Sequence, residues 1–147
     1  MLDVGFIYPI DNSEWMPSIV IVLKKNGEIR VCVDYWKLNI ATKKDHFPLL
    51  FIDTVLDNVA DQQLYSFLNG FSGYNQVSIH LDDQSKTTFV TEWDTYAYQV
   101  MPFGLCNASA TFQQVVTQAF LEFLCDFMEI FLDDFCVHSW ERNHLNC

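Results

Sequence analysis

Two adjacent carboxylates lie between two apolar runs in the stretch Glu129-Ile130-Phe131-Leu132-Asp133-Asp134-Phe135-Cys136-Val137. This pattern predicts a tight hairpin of two β-strands with Asp133 and Asp134 at its tip. Paired carboxylates can bind Mg²⁺, which prefers oxygen ligands and takes one or two carboxylates together with substrate phosphates. The pair therefore indicates phosphoryl or nucleotidyl transfer. The alternative is a solvated turn without metal, because Asp is a favoured turn residue.

The composition is that of a globular chain. Of its 147 residues, 50% are hydrophobic and 16% aromatic, which excludes the disordered class and is enough for one compact domain or a piece of a larger protein. The five cysteines and four histidines show no zinc-binding spacing, so we expect reduced thiols and no structural zinc. The sequence has no signal-peptide pattern and no run of 18 apolar residues. We therefore expect an intracellular protein, cytoplasmic or nuclear, without a membrane partner.

Positive charge is concentrated in one segment. The formal net charge is −11, yet six of the eight basic residues fall between positions 24 and 44, where only Glu28 and Asp34 oppose them. That segment therefore carries +4 and the remainder of the chain −15. A local basic face can hold phosphates, whereas the acidic remainder would repel a long duplex. Charge alone leaves a solvated charged hairpin as an equal alternative.

Hydrophobic periodicity predicts both helices and strands. Asn26-Gly27, between Ile19–Leu23 and Ile29–Val33, predicts a hairpin with a type I′ turn, which needs positive φ at both central residues. Helical spacing predicts a short helix over Ile52–Val59 and a longer one after Asn107, with an apolar stripe that continues to Leu124. The other predicted elements are strands at Leu64–Leu68, Val77–Leu81, Thr87–Thr91 and Tyr96–Met101, and the start of a helix at Trp140–Cys147. This arrangement favours an α+β domain with an antiparallel sheet backed by helices.

Six motifs occur in a fixed order along the chain. They are Arg30-Val31-Cys32-Val33-Asp34-Tyr35-Trp36-Lys37-Leu38-Asn39, Lys44-Asp45-His46-Phe47-Pro48-Leu49, Ser72-Gly73-Tyr74-Asn75-Gln76, Lys86-Thr87-Thr88-Phe89, Met101-Pro102-Phe103-Gly104-Leu105-Cys106-Asn107-Ala108 and Phe131-Leu132-Asp133-Asp134. In this order they resemble the reverse transcriptase of gypsy-type LTR retrotransposons, most closely plant Athila-like elements, over roughly residues 15–145. The resemblance implies a polymerase palm with part of the fingers. Residues 15–60 and 75–105 would be fingers-like and residues 61–75 and 105–145 palm-like, and we expect the thumb, connection, RNase H and integrase parts to be absent.

The same resemblance implies a catalytic site formed by Asp133, Asp134 and the residue at position 69. The family has an Asp at this third position, and this chain has Asn69. Polymerases of this kind hold two metal ions about 4 Å apart, and an uncharged amide lowers the charge of the ligand set from −3 to −2. We expect Asp133 and Asp134 to be the metal ligands, with Mg²⁺ bound as one weak ion or not at all.

Substrate-binding residues also follow from the resemblance. Lys25 and Arg30 match the basic fingers residues that bind the incoming triphosphate, a role suited to an ammonium and a forked guanidinium. Tyr74 matches the aromatic residue beneath the sugar, with ordinary core packing as its alternative role. Phe103 and Gly104 match the turn that supports the nascent base pair, where glycine permits close backbone approach. The implied partners are an RNA or DNA template-primer and dNTPs, and the oligomeric state stays open.

Four positions depart from the family pattern: Trp36 replaces Arg, Leu50 replaces Pro, Asn69 replaces Asp and Ser109 replaces Pro. Each change needs one C-to-T transition on one or the other DNA strand, which suggests a decaying copy of the element. Trp36 cannot pair with phosphate as the Arg of the family does. We expect an RNA-directed DNA polymerase remnant with impaired nucleotidyl transfer. The alternatives are a non-catalytic module that binds nucleic acid or protein, and a decayed product without function.

Overall fold

The computed structural model describes residues 1–49, 51–124 and 126–140. Leu50 lies outside these residues. The helix predicted over Trp140–Cys147 also lies outside them, except for Trp140. The chain forms two compact units, the first from Met1–Lys44 and Tyr74–Ala108 and the second from Asp45–Gly73 and Ser109–Cys147. The fingers and palm boundaries stay a prediction. They group residues 45–60 with the fingers, whereas these residues belong to the second compact unit.

The elements follow one another in the order β1 (Ile7–Pro9), β2 (Ile19–Leu23), β3 (Ile29–Val33), α1 (Trp36–Ala41), α2 (Ile52–Val59), β4 (Leu64–Asn69), a 3₁₀ turn (Gly73–Gln76), α3 (Leu81–Gln84), β5 (Thr88–Val90), β6 (Thr95–Tyr98), α4 (Ala108–Ala119), β7 (Met128–Phe131) and β8 (Asp134–Ser139). The sheets are antiparallel, with the strand orders β1-β6-β5, β2-β3 and β4-β8-β7. This mixture of helices and antiparallel sheets confirms the predicted α+β class. No helix in the described part of the chain is long and apolar enough to cross a membrane.

Aromatic side chains form the core of the first unit. Tyr35, Phe89 and Tyr98 are buried there with Ile7 and Val33. Tyr35 donates its hydroxyl to the carbonyl oxygen of Thr87 at 3.1 Å, so the buried phenol keeps a partner. Burial also raises the pKa of Tyr35 and of Tyr98. Both tyrosines are therefore neutral members of the core.

The β2–β3 hairpin confirms one prediction and corrects another. The strands pair from Ile19–Val33 to Leu23–Ile29, as predicted. The type I′ turn was wrong, because Gly27 has φ of +85° whereas Asn26 is not among the described residues with positive φ. The amide of Gly27 donates to the carbonyl oxygen of Lys24, and the amide of Lys24 donates to that of Glu28. The loop thus has three residues, and one left-handed glycine closes it.

The strand predicted at Val77–Leu81 was also wrong. Only an isolated bridge joins Ser78 to Val100 in the described chain, and helix α3 begins at Leu81. His80 caps this helix by accepting from the amide of Asp82, and the acidic residues of the first turn favour the helix N-terminus. Local capping therefore outweighed the apolar alternation. The two following strands are present but short, at Thr88–Val90 and Thr95–Tyr98.

In the second unit, helices α2 and α4 pack with the sheet of β4, β8 and β7. Helix α2 buries Val55 and Val59, and helix α4 buries Phe112 and Val116, while Ile130 of β7 is 1% exposed. Helix α4 begins at Ala108, immediately after Asn107, as predicted, but it ends at Ala119, before the end of the apolar stripe. Beyond it, Phe120 still makes an edge-on contact with Phe135 of β8. The apolar stripe thus continues beyond the end of the helix, where Phe120 is half-buried and Phe123 is exposed.

Candidate functional site

The carboxylate pair lies at the junction of β7 and β8. Phe131 and Asp134 form the last pair of the ladder, so Leu132 and Asp133 alone make the turn. The prediction that both carboxylates lie at the tip is therefore corrected: Asp133 is in the turn and Asp134 is the first residue of β8. Leu132 has φ of +56°, a left-handed conformation that costs a side-chain-bearing residue roughly 1–2 kcal/mol. The turn is locally strained and needs contacts that hold it.

Two hydrogen bonds from different elements hold the backbone of this turn. The amide of Gly70, just after β4, donates to the carbonyl oxygen of Asp133 at 2.6 Å. The amide of Leu132 donates to the side-chain oxygen of Gln113 on helix α4 at 2.8 Å. The two residues of the turn are thereby fixed by different elements. The carboxylates of Asp133 and Asp134 are not used for this fixation.

Close packing explains the glycine at position 70. A Cβ at this position would lie 3.2 Å from the ring atom Cε2 of Phe135 and 3.4 Å from the carbonyl oxygen of Asp133. Any side chain at this position would therefore press against β8 and the carboxylate turn. Gly70 lets the end of β4 approach the turn closely enough for the 2.6 Å hydrogen bond.

Asn69 lies directly opposite Asp134 in the β4–β8 ladder. Its side-chain amide donates to Oδ1 of Asp134 at 3.1 Å, and both residues are exposed. The structure therefore brings together the three predicted catalytic residues, two as neighbours in sequence and one across the sheet. A carboxylate at position 69 would lie next to the carboxylate of Asp134 and repel it. The amide replaces that repulsion by a hydrogen bond.

The donor set of this cluster fits one divalent cation better than two. Asp133 and Asp134 supply carboxylate oxygens, the ligands that Mg²⁺ prefers, and Asn69 adds a neutral amide. The described residues contain no group of three or more His, Cys, Asp or Glu side chains that could hold a metal ion. Two neighbouring dications would thus share only two negative charges.

The residues predicted to bind substrate lie in the first unit, and three of them are neighbours. The rings of Tyr74 and Phe103 are 4.9 Å apart at 49°. The guanidinium of Arg30 lies 5.9 Å from the centre of the Phe103 ring, within the range of a cation–π contact. Arg30 and Phe103 also line a groove of about 410 Å³ together with Lys24. This aromatic and basic groove has the chemistry to hold a sugar and its phosphates.

Lys25, unlike Arg30, does not line this groove. It lies in the hairpin loop and makes no hydrogen bond or ion pair among the described residues. Its neighbour Lys24, which lines the groove, is paired with Glu28 at 2.7 Å, and this hydrogen bond lowers the pKa of Glu28. Lys25 is therefore the lysine of this loop that is available for an outside phosphate.

Gly104 has φ of +101°, and a Cβ there would meet Tyr35 and the carbonyl oxygen of Val33, both at 3.5 Å. The turn around it is held by Asn39 of helix α1. The amide nitrogen of Asn39 donates to the carbonyl oxygen of Gly104 at 2.8 Å, and its oxygen accepts from the amide of Cys106 at 2.8 Å. Both hydrogen-bonding groups of one side chain thus fix the Phe103-Gly104 turn.

Gln113 and Asn39 were not predicted as functional residues. Gln113 is 2% exposed and lies between the buried Phe112 and the partly exposed face of α4, so periodicity alone marks it as a helix residue. The sequence signal for Gln113 is an uncharged amide next to Phe112 of the apolar stripe, whereas Asn39 lies in a helix without buried residues and carries no such signal. A buried amide must find partners, and both amides bind the backbone of a turn.

The α+β fold and the carboxylate turn agree with the predicted polymerase class. Residues 22–147 match the family described as reverse transcriptase (RNA-dependent DNA polymerase). The chain belongs to the reverse transcriptase family.

Relatives of known sequence agree with this assignment. An RNA-directed DNA polymerase homolog of Oenothera berteroana is 37% identical over 118 residues, which are 80% of this chain and 83% of that protein. The Pol polyprotein of transposon 297 from Drosophila melanogaster is 32% identical over 99% of this chain, and that of transposon gypsy is 31% identical over 95%. The chain spans 14% of the length of each of these polyproteins. The resemblance to retrotransposon Pol proteins is thus confirmed.

The same fold occurs in a foamy viral protease-reverse transcriptase solved in complex with an RNA/DNA hybrid. The TM-score is 0.86 with 20% sequence identity, over 97% of this chain and 19% of the viral chain. At this identity the similarity shows the fold alone. The predicted α+β polymerase fold is therefore confirmed, and the roles of individual residues stay predictions.

Proposed function

We propose that this chain is the fingers-and-palm part of an RNA-directed DNA polymerase from a gypsy-type retroelement, of plant Athila-like origin, with its nucleotidyl transfer impaired at position 69. The observation that carries the proposal is the hydrogen bond between Asn69 and Asp134 at 3.1 Å. It places an amide against a carboxylate where the family has a third carboxylate. The site keeps its architecture and loses a third of its charge.

Asp133 and Asp134 would hold the divalent cation in this proposal. When bound, such a cation stabilises charge on the phosphate oxygens and promotes deprotonation of the attacking hydroxyl. The chain itself supplies the position: the hairpin fixes both carboxylates next to each other, and the backbone of Asp133 is held by Gly70. Asn69 presents no charge and occupies one oxygen of Asp134, so cation binding has to compete with the hydrogen bond.

The groove of the first unit has side chains that suit a nucleotide. Arg30, stacked over Phe103, and Lys25, which is without an ion pair among the described residues, suit the triphosphate. Tyr74 packs against Phe103, and this pair offers an aromatic surface to the sugar and base. A foamy viral relative in fold has been solved with an RNA/DNA hybrid, which supports a template-primer as partner here.

The expected size of the defect follows from the charge that is lost. Metal-ion stabilisation is worth several kcal/mol and each 1.36 kcal/mol is tenfold in rate, so the loss of a principal ligand is expected to cost on the order of a thousandfold. Primer extension on a homopolymer template, with Mg²⁺ or with Mn²⁺, tests this. We expect little or no extension by the natural chain and clear extension by Asn69→Asp. Equal rates for the two chains, both shown to be folded by circular dichroism, would contradict the proposal.

A second candidate is a binding module that has kept the fold without the chemistry. The observation that favours it is the basic segment, where Lys25, Lys37, Lys43 and Lys44 form no salt bridge among the described residues, whereas Lys24 does. Binding through such lysines weakens as salt rises. Fluorescence anisotropy with a labelled RNA/DNA hybrid at increasing salt tests it. Absence of binding at low salt, together with no extension by Asn69→Asp, would leave a decayed product without function.

A further inference from the structure

The carboxylate turn is connected to the interior of the second unit by one side chain. Gln113 of helix α4 is 2% exposed. Its oxygen accepts from the amide of Leu132 at 2.8 Å, and its nitrogen donates to the carbonyl oxygen of Ile130 at 3.3 Å and to the hydroxyl of Thr117 at 3.2 Å. Every polar group of this amide therefore has a partner inside the protein.

Two of these three partners are backbone groups of the hairpin itself. Ile130 and Leu132 flank Phe131, the last β7 residue before the turn, so one planar amide spans the point where the strand ends. A buried glutamine that only satisfied its own hydrogen bonds could use any neighbouring groups. Gln113 instead uses the groups that set the direction in which the chain enters the turn.

The conformation of Leu132 explains why such a clamp is needed. Its φ of +56° is unfavourable for a residue with a side chain, and strained residues persist only where the surroundings over-determine them. Without an acceptor for its amide, Leu132 could leave the left-handed region, and the backbone of Asp133, the next residue, would change direction. The position of the Asp133 carboxylate relative to Asp134 would then change as well.

We propose that Gln113 is the positioning residue that holds the carboxylate turn in its cation-binding geometry. This inference rests on the proposed function, because it concerns the same site. Gln113 does not touch the cation or substrate in this role. It acts through the backbone of Leu132. In metalloproteins, residues that contact the metal ligands and orient them have a comparable role, and their loss lowers metal affinity about 10–100-fold.

The test compares three single substitutions in the full chain. Gln113→Met removes the amide at nearly constant size. Gln114→Met is the matched surface control, since Gln114 follows directly on the same helix, is exposed, and donates a hydrogen bond to Oδ2 of Asp45 at 3.0 Å. Thr117→Val removes the third partner of Gln113 and leaves both hairpin contacts in place. Affinity for Mn²⁺ is measured by electron paramagnetic resonance, and exchange of the Leu132 amide by hydrogen-deuterium exchange.

We expect Gln113→Met to weaken Mn²⁺ binding about tenfold or more and to remove the protection of the Leu132 amide, while the two controls change neither. The proposal is overturned if Gln113→Met leaves both quantities unchanged, or if Thr117→Val weakens Mn²⁺ binding equally. If Gln113→Met does not fold, Gln113→Asn, which keeps an amide but is too short to reach Leu132, carries the same measurements.

Failure of the proposed function gives a different result. If the natural chain binds no Mn²⁺, the metal site of the proposed function is wrong for this chain, and the role of Gln113 is then measured in the Asn69→Asp background. In that background, the same tenfold weakening and the same loss of Leu132 protection support the positioning role. Unchanged Mn²⁺ affinity, or no Mn²⁺ binding there either, overturns it.

Discussion

Restoring the third carboxylate should make the stability of the fold depend on divalent cations. In the natural chain, Asn69 donates a hydrogen bond to Asp134 at 3.1 Å, and a hydrogen bond to a charged group contributes about 1.5 kcal/mol or more when it is sheltered. Asn69→Asp removes this bond and places two carboxylates against each other. At about 4 Å their repulsion is roughly 1 kcal/mol in water and about 4 kcal/mol at a protein surface of lower effective dielectric.

Both residues are exposed, so the lower part of this range applies. We expect Asn69→Asp to cost about 2 kcal/mol of unfolding free energy in the presence of EDTA, because solvent screens exposed charges. For a chain of this size, that corresponds to a fall in Tm of about 6 °C. Saturating Mg²⁺ should reverse the loss, since a ligand at 100 times its Kd stabilises the folded state by about 2.7 kcal/mol.

Thermal unfolding followed by far-ultraviolet circular dichroism measures this, with EDTA and with increasing Mg²⁺ at constant ionic strength. Asn12→Asp is the matched control, because it adds the same charge at an exposed residue with no hydrogen bond among the described residues. The natural chain and Asn12→Asp should respond little to Mg²⁺. If Asn12→Asp gains as much stability from Mg²⁺ as Asn69→Asp does, the cation acts on net charge alone and the reasoning about the site is refuted.

Three further substitutions or modifications test the second unit. His138 is 4% exposed, and neither ring nitrogen has a hydrogen-bond partner among the described residues. His138→Leu should therefore raise the free energy of unfolding in urea by roughly 1–2 kcal/mol, and a lower urea midpoint would contradict this. Gly70→Ala should lower the free energy of unfolding by about 1 kcal/mol or more in the same assay, because the new Cβ would lie 3.2 Å from the Phe135 ring. An unchanged midpoint would show that β8 can move to accommodate the methyl group. Burial, together with the nearby Glu129, raises the pKa of the Cys136 thiol and keeps it protonated to higher pH. Iodoacetamide should therefore label the exposed Cys106 well before Cys136 at pH 8, as measured by peptide mass spectrometry. Equal labelling rates for the two cysteines would contradict the burial of Cys136.

The fold could be predicted largely because several independent sequence signals agreed. Asn26-Gly27 between two apolar runs located the β2–β3 hairpin, and the long apolar stripe located helix α4. The errors came from short elements. Strand β1 has three residues and helix α1 has six, too few for a period to be visible. At Val77–Leu81 the alternation of apolar residues was misleading because helix capping by His80 decided the local structure.

The candidate site was predictable in its residues and not in its contacts. Asp133 and Asp134 stand together in the sequence, and the motif order pointed to position 69. That Asn69 faces Asp134, however, depends on the register of β4 against β8, which no local pattern contains. The role of Gln113 was hidden for a similar reason: its partners are backbone groups 17 and 19 residues away, and backbone groups leave no mark in the sequence.

The amide at position 69 has opposite consequences for catalysis and for folding. The described residues of the second unit include no Lys or Arg, although nine of them are Asp or Glu, so no positive side chain there can neutralise a third carboxylate. With Asp at position 69, the turn would need a cation both to fold well and to react. With Asn69, the hydrogen bond to Asp134 stabilises the turn without a cation. A chain that loses polymerase activity by this change therefore keeps its fold more easily than one that loses Asp133 or Asp134. The proposed function and the binding alternative therefore both predict a folded but inactive natural chain, and its activity cannot separate them. The free energy of unfolding of Asn69→Asp can: it depends on a divalent cation if the turn is a weakened polymerase site and does not if it is an ordinary acidic turn.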